Sequence, residues 1–483
     1  MAPKIVEYDD HFVSLSQHGP KPSRSCENFL STLFSTLDSN QVRYCVLHSW
    51  EELPQNLSSD LDIAVDAQDK RNLVLAFHLL QKKGYWLVQV INYFVEAYCF
   101  RFLWFEGLEI NSVAVDVIFK HQRGAMIVPS VKLLVSGRRR YDIFWVPSPE
   151  AEFSYLLARK TWKGIAPVTQ QRRLKLLVEQ LGRATAEKLA GEFFLGPLSV
   201  RVIEACASGR LNPLLAQIKG QAWGTSLVRN PFSLIADLLS DCVRLIRRWL
   251  QPTGLLIAVM GPDGAGKSTL IEHLIQAVGS AFDRHRLFHW RPMLLWRRKL
   301  THDTTRPHSA PPHGRWWSVT RLFAHLLDYW LGYWLVIRPL IARSGLVVFD
   351  RYFDDVLIDP KRYRYGGPLW LARILRPLTP RPDLVLVLDA PEEVLLSRKQ
   401  EVAREELHRQ RQLYARIVEG AAAARVINGS GSVSHVMAEA TRVVIEHLSQ
   451  RAEHQQARLV RDMVSRKWWH PIPGFKAMVQ RLR

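Results

Sequence analysis

"VMGPDGAGKSTLIEHL", Val259 to Leu274, is the most informative stretch in the C-terminal half of this 483-residue chain. The stretch fits the spacing G-x4-G-K-[ST], with an apolar strand pattern before it and an amphipathic helix pattern after it. Glycines let backbone N–H groups close around phosphate oxygens, and the N-terminus of the following helix adds a positive dipole. The motif therefore predicts a nucleotide-binding P-loop on the first strand of a sheet.

The loop supplies the first candidate residues. Lys267 is expected to reach the terminal phosphates of ATP, and Ser268 is expected to ligate Mg²⁺. We assign the whole loop to ATP binding: Gly261, Pro262, Asp263, Gly264, Ala265, Gly266, Lys267, Ser268 and Thr269.

An aspartate and an arginine follow a second apolar strand. "SGLVVFDRYFDD" places Asp350 and Arg351 at the carboxyl end of that strand, where ligands bind in open parallel sheets. Asp350 can hold Mg²⁺ or its water, and Arg351 can neutralise charge on a phosphate in transfer. Strand patterns "LLIAVM", "GLVVFD" and "DLVLVLDA" alternate with helical patterns, which predicts an α/β fold with a parallel sheet and helices on both faces.

Composition restricts the class of protein. Lys and Arg outnumber Asp and Glu by 65 to 45, giving a net charge of +20 that favours anionic partners. The five cysteines form no CxxC pair, and the N-terminus has no signal-peptide core, so we expect a cytoplasmic protein. "LLDYWLGYWLVIRPLIA" is bracketed by Asp328 and Arg338 and falls short of the ~20 residues that cross a bilayer, which predicts a buried helix.

Pattern changes along the chain predict four segments. Residues 1–165 alternate short strands with helices and form a small α/β domain, and residues 166–250 have helical spacing with almost no strand signal. We interpret the second segment as a helical connector that belongs to either neighbour. Residues 251–450 form the P-loop domain, and residues 451–483 form a basic tail.

The motifs of the P-loop domain resemble a known family. "GPDGAGKST", "FDRYFDD", "PDLVLVLDAPEEVLLSRKQE" and "RQLYARI" followed by "ARVING" occur in the order found in the thymidylate kinase family of P-loop nucleoside monophosphate kinases. The resemblance implies ATP as phosphate donor, Mg²⁺ as cofactor, and Asp263 facing the acceptor. It implies that Asp350 and Arg351 support Mg²⁺ and the phosphates, and that an arginine-bearing lid contributes Arg398 and Arg404.

The chain departs from this family after the Asp-Arg-Tyr triplet. Where thymidylate kinases continue with a Ser and an Ala-Tyr-Gln stretch that grips thymine, this chain reads "DDVLIDPKRYRYGG". Arg362 and Arg364 lie there among tyrosines, and Arg291 lies in "HWRPMLLWRRK". These three arginines are candidates for binding a phosphorylated acceptor, with a solvated basic surface as the alternative. We expect the acceptor to be a nucleoside monophosphate or a similar phosphorylated molecule.

A second set of carboxylates occurs upstream. "VLHSW", "SSDLDIAVD" and "VAVDVIF" supply Asp60, Asp62 and Asp116, which could share one or two Mg²⁺ ions. The spacing resembles the nucleotidyltransferase superfamily, in which a Gly-Ser turn precedes Asp-x-Asp and a later Asp, although His48 stands where that family has Gly. The resemblance implies a nucleotidyltransferase-like domain, active or degenerate, and a bifunctional chain.

Other partners and functions stay open. The basic tail, with Trp468 and Trp469, allows peripheral contact with an anionic membrane, or a terminal helix docked on the core. The pairing of domains resembles proteins of bacterial surface polysaccharide synthesis, which suggests a sugar or glycan acceptor. Nucleic-acid end processing is favoured by charge, but no zinc finger, RRM or KH signature is found. A regulatory ATPase and a homodimer are further alternatives.

Overall fold

The computed structural model describes residues 24–57, 59–94, 96–107, 109–120, 129–194, 196–215, 217–218, 231–294, 311–399 and 403–466. The chain divides into two compact units, and each is described by itself. The N-terminal unit holds the described residues of Gln17–Gly107, Asn111–Leu245 and Leu448–Arg483. The P-loop unit is built mainly from those of Ile246–His447.

A five-stranded mixed sheet forms the centre of the N-terminal unit. Its strand order is β1-β2-β5-β4-β3, with β1 antiparallel to β2, β2 parallel to β5, and β3 antiparallel to β4. Apolar side chains of two helices and the sheet form a core that is rich in phenylalanine. These elements are α1 Arg24–Ser39, β1 Tyr44–Val46, β2 Leu61–Val65, α2 Lys70–Lys82, β3 Trp86–Phe94, β4 Ala97–Glu106 and β5 Glu109–Ile118.

A short hairpin and a group of helices complete this unit. Ser148 caps α4 by accepting a hydrogen bond from the Ala151 amide at 3.3 Å, and Gly164 ends the helix at φ 74°. The described residues between Val168 and Ala207 are largely helical, and their buried apolar side chains form one cluster with those of α4. The elements are α3 Val131–Ser136, β6 Arg139–Tyr141, β7 Phe144–Val146, α4 Pro149–Lys163, α5 Val168–Leu181, α6 Arg183–Gly191, α7 Pro197–Ala207 and α8 Pro231–Leu250.

The P-loop unit contains a five-stranded sheet in which every pair of neighbours is parallel, in the order β12-β11-β8-β10-β9. All six residues of the central strand β8 are buried, which explains its unbroken apolar sequence. The predicted parallel sheet is confirmed. Its strands are β8 Leu255–Met260, β9 His285–His289, β10 Leu346–Asp350, β11 Leu384–Asp389 and β12 Ala424–Asn428.

Helices connect these strands. They are α9 Lys267–Val278, α10 Arg315–Gly332, α11 Arg338–Ala342, α12 Asp355–Ile358, α13 Leu369–Leu375, α14 Glu392–Arg398 and α15 Arg404–Glu419. A last helix, α16 Val433–Arg466, follows β12, and its residues from Leu448 onward belong to the N-terminal unit. Because β8 lies between β10 and β11, the chain leaves it toward one side and returns on the other. Such a reversal opens a crevice at the carboxyl ends of the strands, which is where the P-loop begins.

The aromatic helix, formed by α10 and the π-helical turn Tyr333–Ile337 that continues it, has one buried and one exposed face. Tyr329 and Ile337 are buried at 1% exposure, whereas Trp330, Trp334 and Leu335 are exposed at 46%, 45% and 67%. The prediction of a buried helix over this stretch is therefore wrong for one face. Apolar periodicity does not distinguish a helix buried all round from one with an exposed apolar stripe. None of the described helices combines the length and the apolar character that crossing a membrane requires.

Candidate functional site

The P-loop leaves the end of β8 through backbone conformations that glycine adopts readily. Gly261 has φ 142°, and a Cβ atom at this position would collide with the carbonyl oxygen of Leu388 on β11. Gly266 has φ 93° and is the residue that precedes α9. The loop therefore approaches the neighbouring strand closely and directs the N-terminus of α9 toward the crevice, a geometry suited to an anion.

Lys267 is the first residue of α9 and its side chain is 8% exposed. The ammonium Nζ donates a hydrogen bond to the carbonyl of Pro262 at 2.8 Å and lies 3.7 Å from a carboxylate oxygen of Asp263. Burial, and then the charge of Arg351, lower the pKa of Lys267 to about 8. The lysine is held inside the loop at the place where an added negative charge would stabilise it.

Three cationic side chains converge on Asp263. Besides Lys267, the guanidinium groups of Arg351 and Arg362 each donate a hydrogen bond to one of its carboxylate oxygens. Arg351 is 4% exposed and has φ 71°, a backbone conformation that is uncommon outside glycine and concentrates at functional sites. Asp263 thus gathers three cationic side chains beside the P-loop, and such groups can bind phosphate oxygens.

A second carboxylate, Asp355, fixes Arg351 from the other side. Asp355 is fully buried and accepts hydrogen bonds from Arg351 Nη1 at 2.7 Å, the Tyr414 hydroxyl at 3.1 Å and the Tyr363 hydroxyl at 3.4 Å. Burial alone would lower the pKa of Arg351, but Asp355 and Asp263 outweigh it and the pKa lies well above its ordinary value. Sequence reasoning missed Asp355 and Tyr414. The available signal was the acidic residue four positions after Arg351.

Asp350 ends β10 next to the P-loop strand. Its Oδ2 lies 3.2 Å from His289 Nδ1, and its Oδ1 is buried without a hydrogen-bond partner. Burial raises the pKa of Asp350, but His289, Lys267 and Arg351 together bring it below the usual range. An ionised carboxylate with an unpaired oxygen fits Mg²⁺ or a water bound to it. Ser268 is exposed at the start of α9, and no preformed group of three metal-binding side chains is found in the described part of the chain.

The two predicted lid arginines have different surroundings. A Cβ atom built on Gly264 would lie 3.6 Å from that of Arg398, so the end of α14 is next to the P-loop. Arg398 Nη1 donates to the carbonyl of Gly429 at 3.1 Å. Arg404 is 63% exposed and binds Glu392 and Glu393 at 3.2 and 3.0 Å.

The three candidate acceptor-binding arginines also have different hydrogen-bond partners. Arg362 joins the cluster at Asp263, whereas Arg291 Nη1 donates to the buried Asp328 at 3.0 Å. Arg364 Nε donates to the carbonyl of Pro311 at 3.0 Å and lines a cleft beside the site. Asp328, which also accepts from two backbone amides after β9, was not singled out from the sequence.

The upstream carboxylates lie on neighbouring strands of the N-terminal unit. Asp62 and Asp116 are register partners on β2 and β5, while Asp60 is exposed just before β2. Asp62 lies 2.9 Å from His48 Nε2 and 3.7 Å from Arg159 Nη2. Burial raises the pKa of Asp62, but the interactions with His48 and Arg159 outweigh it and lower this pKa. Burial and the charge of Asp62 raise the pKa of Asp116 to about 7.

Comparison with known proteins gives one consistent result. The chain is 33% identical over 155 residues to the thymidylate kinase of Pseudomonas fluorescens, covering 30% of this chain and 69% of the relative. It is 29% identical over 210 residues to that of Xanthomonas campestris pv. campestris, covering 42% and 88%. It is 31% identical over 149 residues to that of Xanthomonas oryzae pv. oryzae, of which it spans only 62% of the length. No family model matches.

Solved structures give matches of the same kind. The thymidylate kinase of Candida albicans has 15% sequence identity and a TM-score of 0.31, over 41% of this chain and 93% of that one. The thymidylate kinase of Ehrlichia chaffeensis has 18% identity and a TM-score of 0.29, over 40% and 100%. The sequence relatives confirm a region of thymidylate kinase type; the nucleotidyltransferase-like character of the N-terminal unit stays a prediction.

Proposed function

Because the chain belongs to the thymidylate kinase family, we propose that it moves the γ-phosphate of MgATP to a phosphorylated acceptor. The observation that carries this proposal is the convergence of Lys267, Arg351 and Arg362 on Asp263 beside the P-loop. Phosphoryl transfer requires little covalent chemistry from a protein and depends on positioning and on neutralising charge. A cationic cluster next to an amide cradle provides both.

The P-loop binds the phosphate donor. Backbone N–H groups and the N-terminus of α9 bind the phosphates of ATP, and Lys267 neutralises the terminal ones. When bound, Mg²⁺ would supply positive charge that offsets the charge of the phosphates. The exposed hydroxyl of Ser268 and the unpaired Oδ1 of Asp350 are the groups that would hold it.

Arg351 and Arg362 bind the phosphate acceptor. Asp355 holds Arg351 in place, so the guanidinium can bind phosphate oxygens of donor and acceptor without losing its orientation. Asp263 orients the acceptor, and Arg362 binds its phosphate. An oxygen of that phosphate forms a new bond to the γ-phosphorus as the bond to the β-phosphate oxygen breaks and ADP leaves. A phosphate oxygen is already ionised, so no general base is needed.

The proposal is tested by product analysis. The full chain is incubated with γ-labelled ATP and a panel of nucleoside monophosphates, sugar phosphates and oligonucleotides with 5′-hydroxyl ends. We expect label in an acceptor of low molecular weight, from either of the first two groups. Label released only as free phosphate would support a regulatory ATPase, and label on oligonucleotide ends would support nucleic-acid processing. A clear preference for dTMP would show that "DDVLIDPKRYRYGG" does not alter base recognition.

The two lid arginines should respond differently to mutation. We expect Arg398→Ala to lower kcat by about 100-fold, because this arginine is adjacent to the P-loop and can reach the transferred group. Arg404→Ala is the matched control, and we expect it to change kcat by less than about threefold because its exposed ion pairs contribute little. Steady-state kinetics with the best acceptor decide the point. An equal loss of kcat in both variants would contradict this difference and show that Arg404 also stabilises the transferred phosphate.

For the N-terminal unit we propose the nucleotidyltransferase-like function, with Mg²⁺ held between Asp62 and Asp116, assisted by Asp60. The register pairing of the first two carboxylates and the raised pKa of Asp116 support it, since a cation would relieve their repulsion. Metal bound only by the folded state raises the melting temperature.

The metal proposal gives a thermal prediction. Without nucleotide, we expect MgCl2 to raise the melting temperature of the wild type but not that of Asp116→Asn. Glu109→Gln, at the exposed start of the same strand, is the control and should behave like the wild type. An identical change of melting temperature with Mg²⁺ in all three proteins would show that this site does not bind the metal. The domain would then be degenerate.

A further inference from the structure

A small open cleft lies within the P-loop unit, next to a tyrosine that contacts the partner of Arg351. Trp290, Arg321, His325 and Arg364 line it, together with Tyr363. The Tyr363 hydroxyl donates to Asp355, the carboxylate that holds Arg351, so the cleft continues from the proposed phosphate site. A molecule whose phosphate lies at Arg351 would extend into it.

Two buried nitrogens in this cleft have no hydrogen-bond partner. They are the indole Nε1 of Trp290, a residue that is 8% exposed, and Nδ1 of His325. Native proteins leave few buried polar groups unpaired, and each one calls for an explanation. A ligand that accepts hydrogen bonds would provide it here.

The indole cannot turn away to find another partner. Trp290 has φ 62°, its amide donates to the carbonyl of Asp350 at 2.9 Å, and its carbonyl accepts from the hydroxyl of Tyr329. Its ring lies against Tyr363, with centroids 4.3 Å apart, and contacts the edge of His325 at 4.8 Å. The strained backbone and the packed ring together restrict the position of the indole.

The cleft presents donors and cations rather than carboxylates. Arg321 and Arg364 contribute guanidinium groups, which only donate, and no Asp or Glu is found among the described residues that line it. Burial, with Arg291 and Arg321 nearby, lowers the pKa of His325 to about 3, so its imidazole is neutral at physiological pH. A nucleobase that presents an N–H group would find no carboxylate acceptor here. An anionic oxygen, by contrast, would be bound well by the guanidinium groups.

We propose that this cleft binds the end of the acceptor remote from the transferred phosphate, and that this end carries a second anionic group, a carboxylate or a phosphate. The inference rests on the proposed kinase function and adds the class of acceptor to it. The acceptor is then a phosphorylated acid or a bisphosphate.

Matched pairs of acceptors test this inference with the full chain. The pairs are orotidine and uridine 5′-monophosphates, 3-phosphoglycerate and glycerol 3-phosphate, and fructose 1,6-bisphosphate and fructose 6-phosphate. Calorimetry in the presence of MgADP measures binding, and labelled ATP measures transfer. We expect the more anionic member of at least one pair to bind at least about tenfold more tightly. Equal binding within every pair, or undetectable binding of all six compounds, would overturn the inference.

The two readouts separate the inference from the proposed function. Anionic preference in binding without transfer of label would contradict the kinase function but support the cleft assignment. Transfer of label to acceptors without a preference for the more anionic member would support the kinase function but contradict the cleft assignment.

Variants of one arginine provide the specific check. Arg321→Gln should reduce the preference within the responsive pair to about threefold or less, Arg321→Lys should retain part of it, and Arg315→Gln, at the exposed start of the same helix, should leave it unchanged. MgATP affinity should be the same in all three. A preference that survives Arg321→Gln would contradict the assignment.

Discussion

Lys267→Ala is expected to lower kcat/KM for phosphoryl transfer by at least about 100-fold, the scale of removing one preorganised charge from a transition state. The ammonium is almost fully buried and lies inside the loop, so water cannot simply replace it. Initial rates with labelled ATP and the best acceptor measure the loss. Lys267→Ala should also weaken MgATP binding, because the terminal phosphates lose their buried countercharge.

The control for this variant is Lys188→Ala, an exposed lysine of the N-terminal unit. It changes the net charge by the same amount and should leave transfer unaffected. Thermal unfolding of both variants shows whether the fold is retained. If Lys267→Ala keeps more than a tenth of the wild-type rate while folded, the P-loop is not where the phosphate is transferred.

Asp355→Ala is expected to destabilise the P-loop unit by about 3–5 kcal/mol, the usual cost of removing one partner of a buried ion pair. Arg351 would keep its buried charge but lose one of its two carboxylates, and two tyrosine hydroxyls would lose their acceptor. Denaturant unfolding measures the free energy. Transfer should fall as well, because the released guanidinium no longer points at the phosphates.

A surface ion pair supplies the comparison for Asp355. Arg442 and Glu446 on α16 lie 4.0 Å apart and are exposed, so Arg442→Ala should leave unfolding and transfer unchanged. Asp355→Asn keeps an acceptor oxygen without the charge and should fall between Asp355→Ala and wild type. An Asp355→Ala protein as stable as the wild type would mean that Asp355 does not hold Arg351.

Local sequence patterns predicted the framework of the site. Glycine spacing and an apolar strand located the P-loop, and the strand before Asp350 and Arg351 ends at the same edge of the parallel sheet. These predictions work because the carboxyl ends of parallel strands meet at one edge, whatever the helices between them do. The thymidylate kinase resemblance was read from motifs of the same kind.

Contacts between residues distant in sequence were not predictable. Tyr414 reaches Asp355 from α15, and Asp328 binds Arg291 from α10, pairings that depend on how helices pack. Arg291 and Arg362 look alike in the sequence, yet one binds a buried aspartate and the other contacts Asp263. The exposed face of the aromatic helix was missed for the same reason, since burial is set by neighbouring elements.

Titration of the full chain with MgATP in a calorimeter is the most direct test of the P-loop assignment. The cationic cluster around Asp263 predicts a MgATP site with a Kd below about 1 mM, and Lys267→Ala should weaken binding at this site at least about tenfold. Absence of binding to the folded wild-type chain at several times that concentration, about 5 mM, would contradict the kinase function and every role assigned to this site.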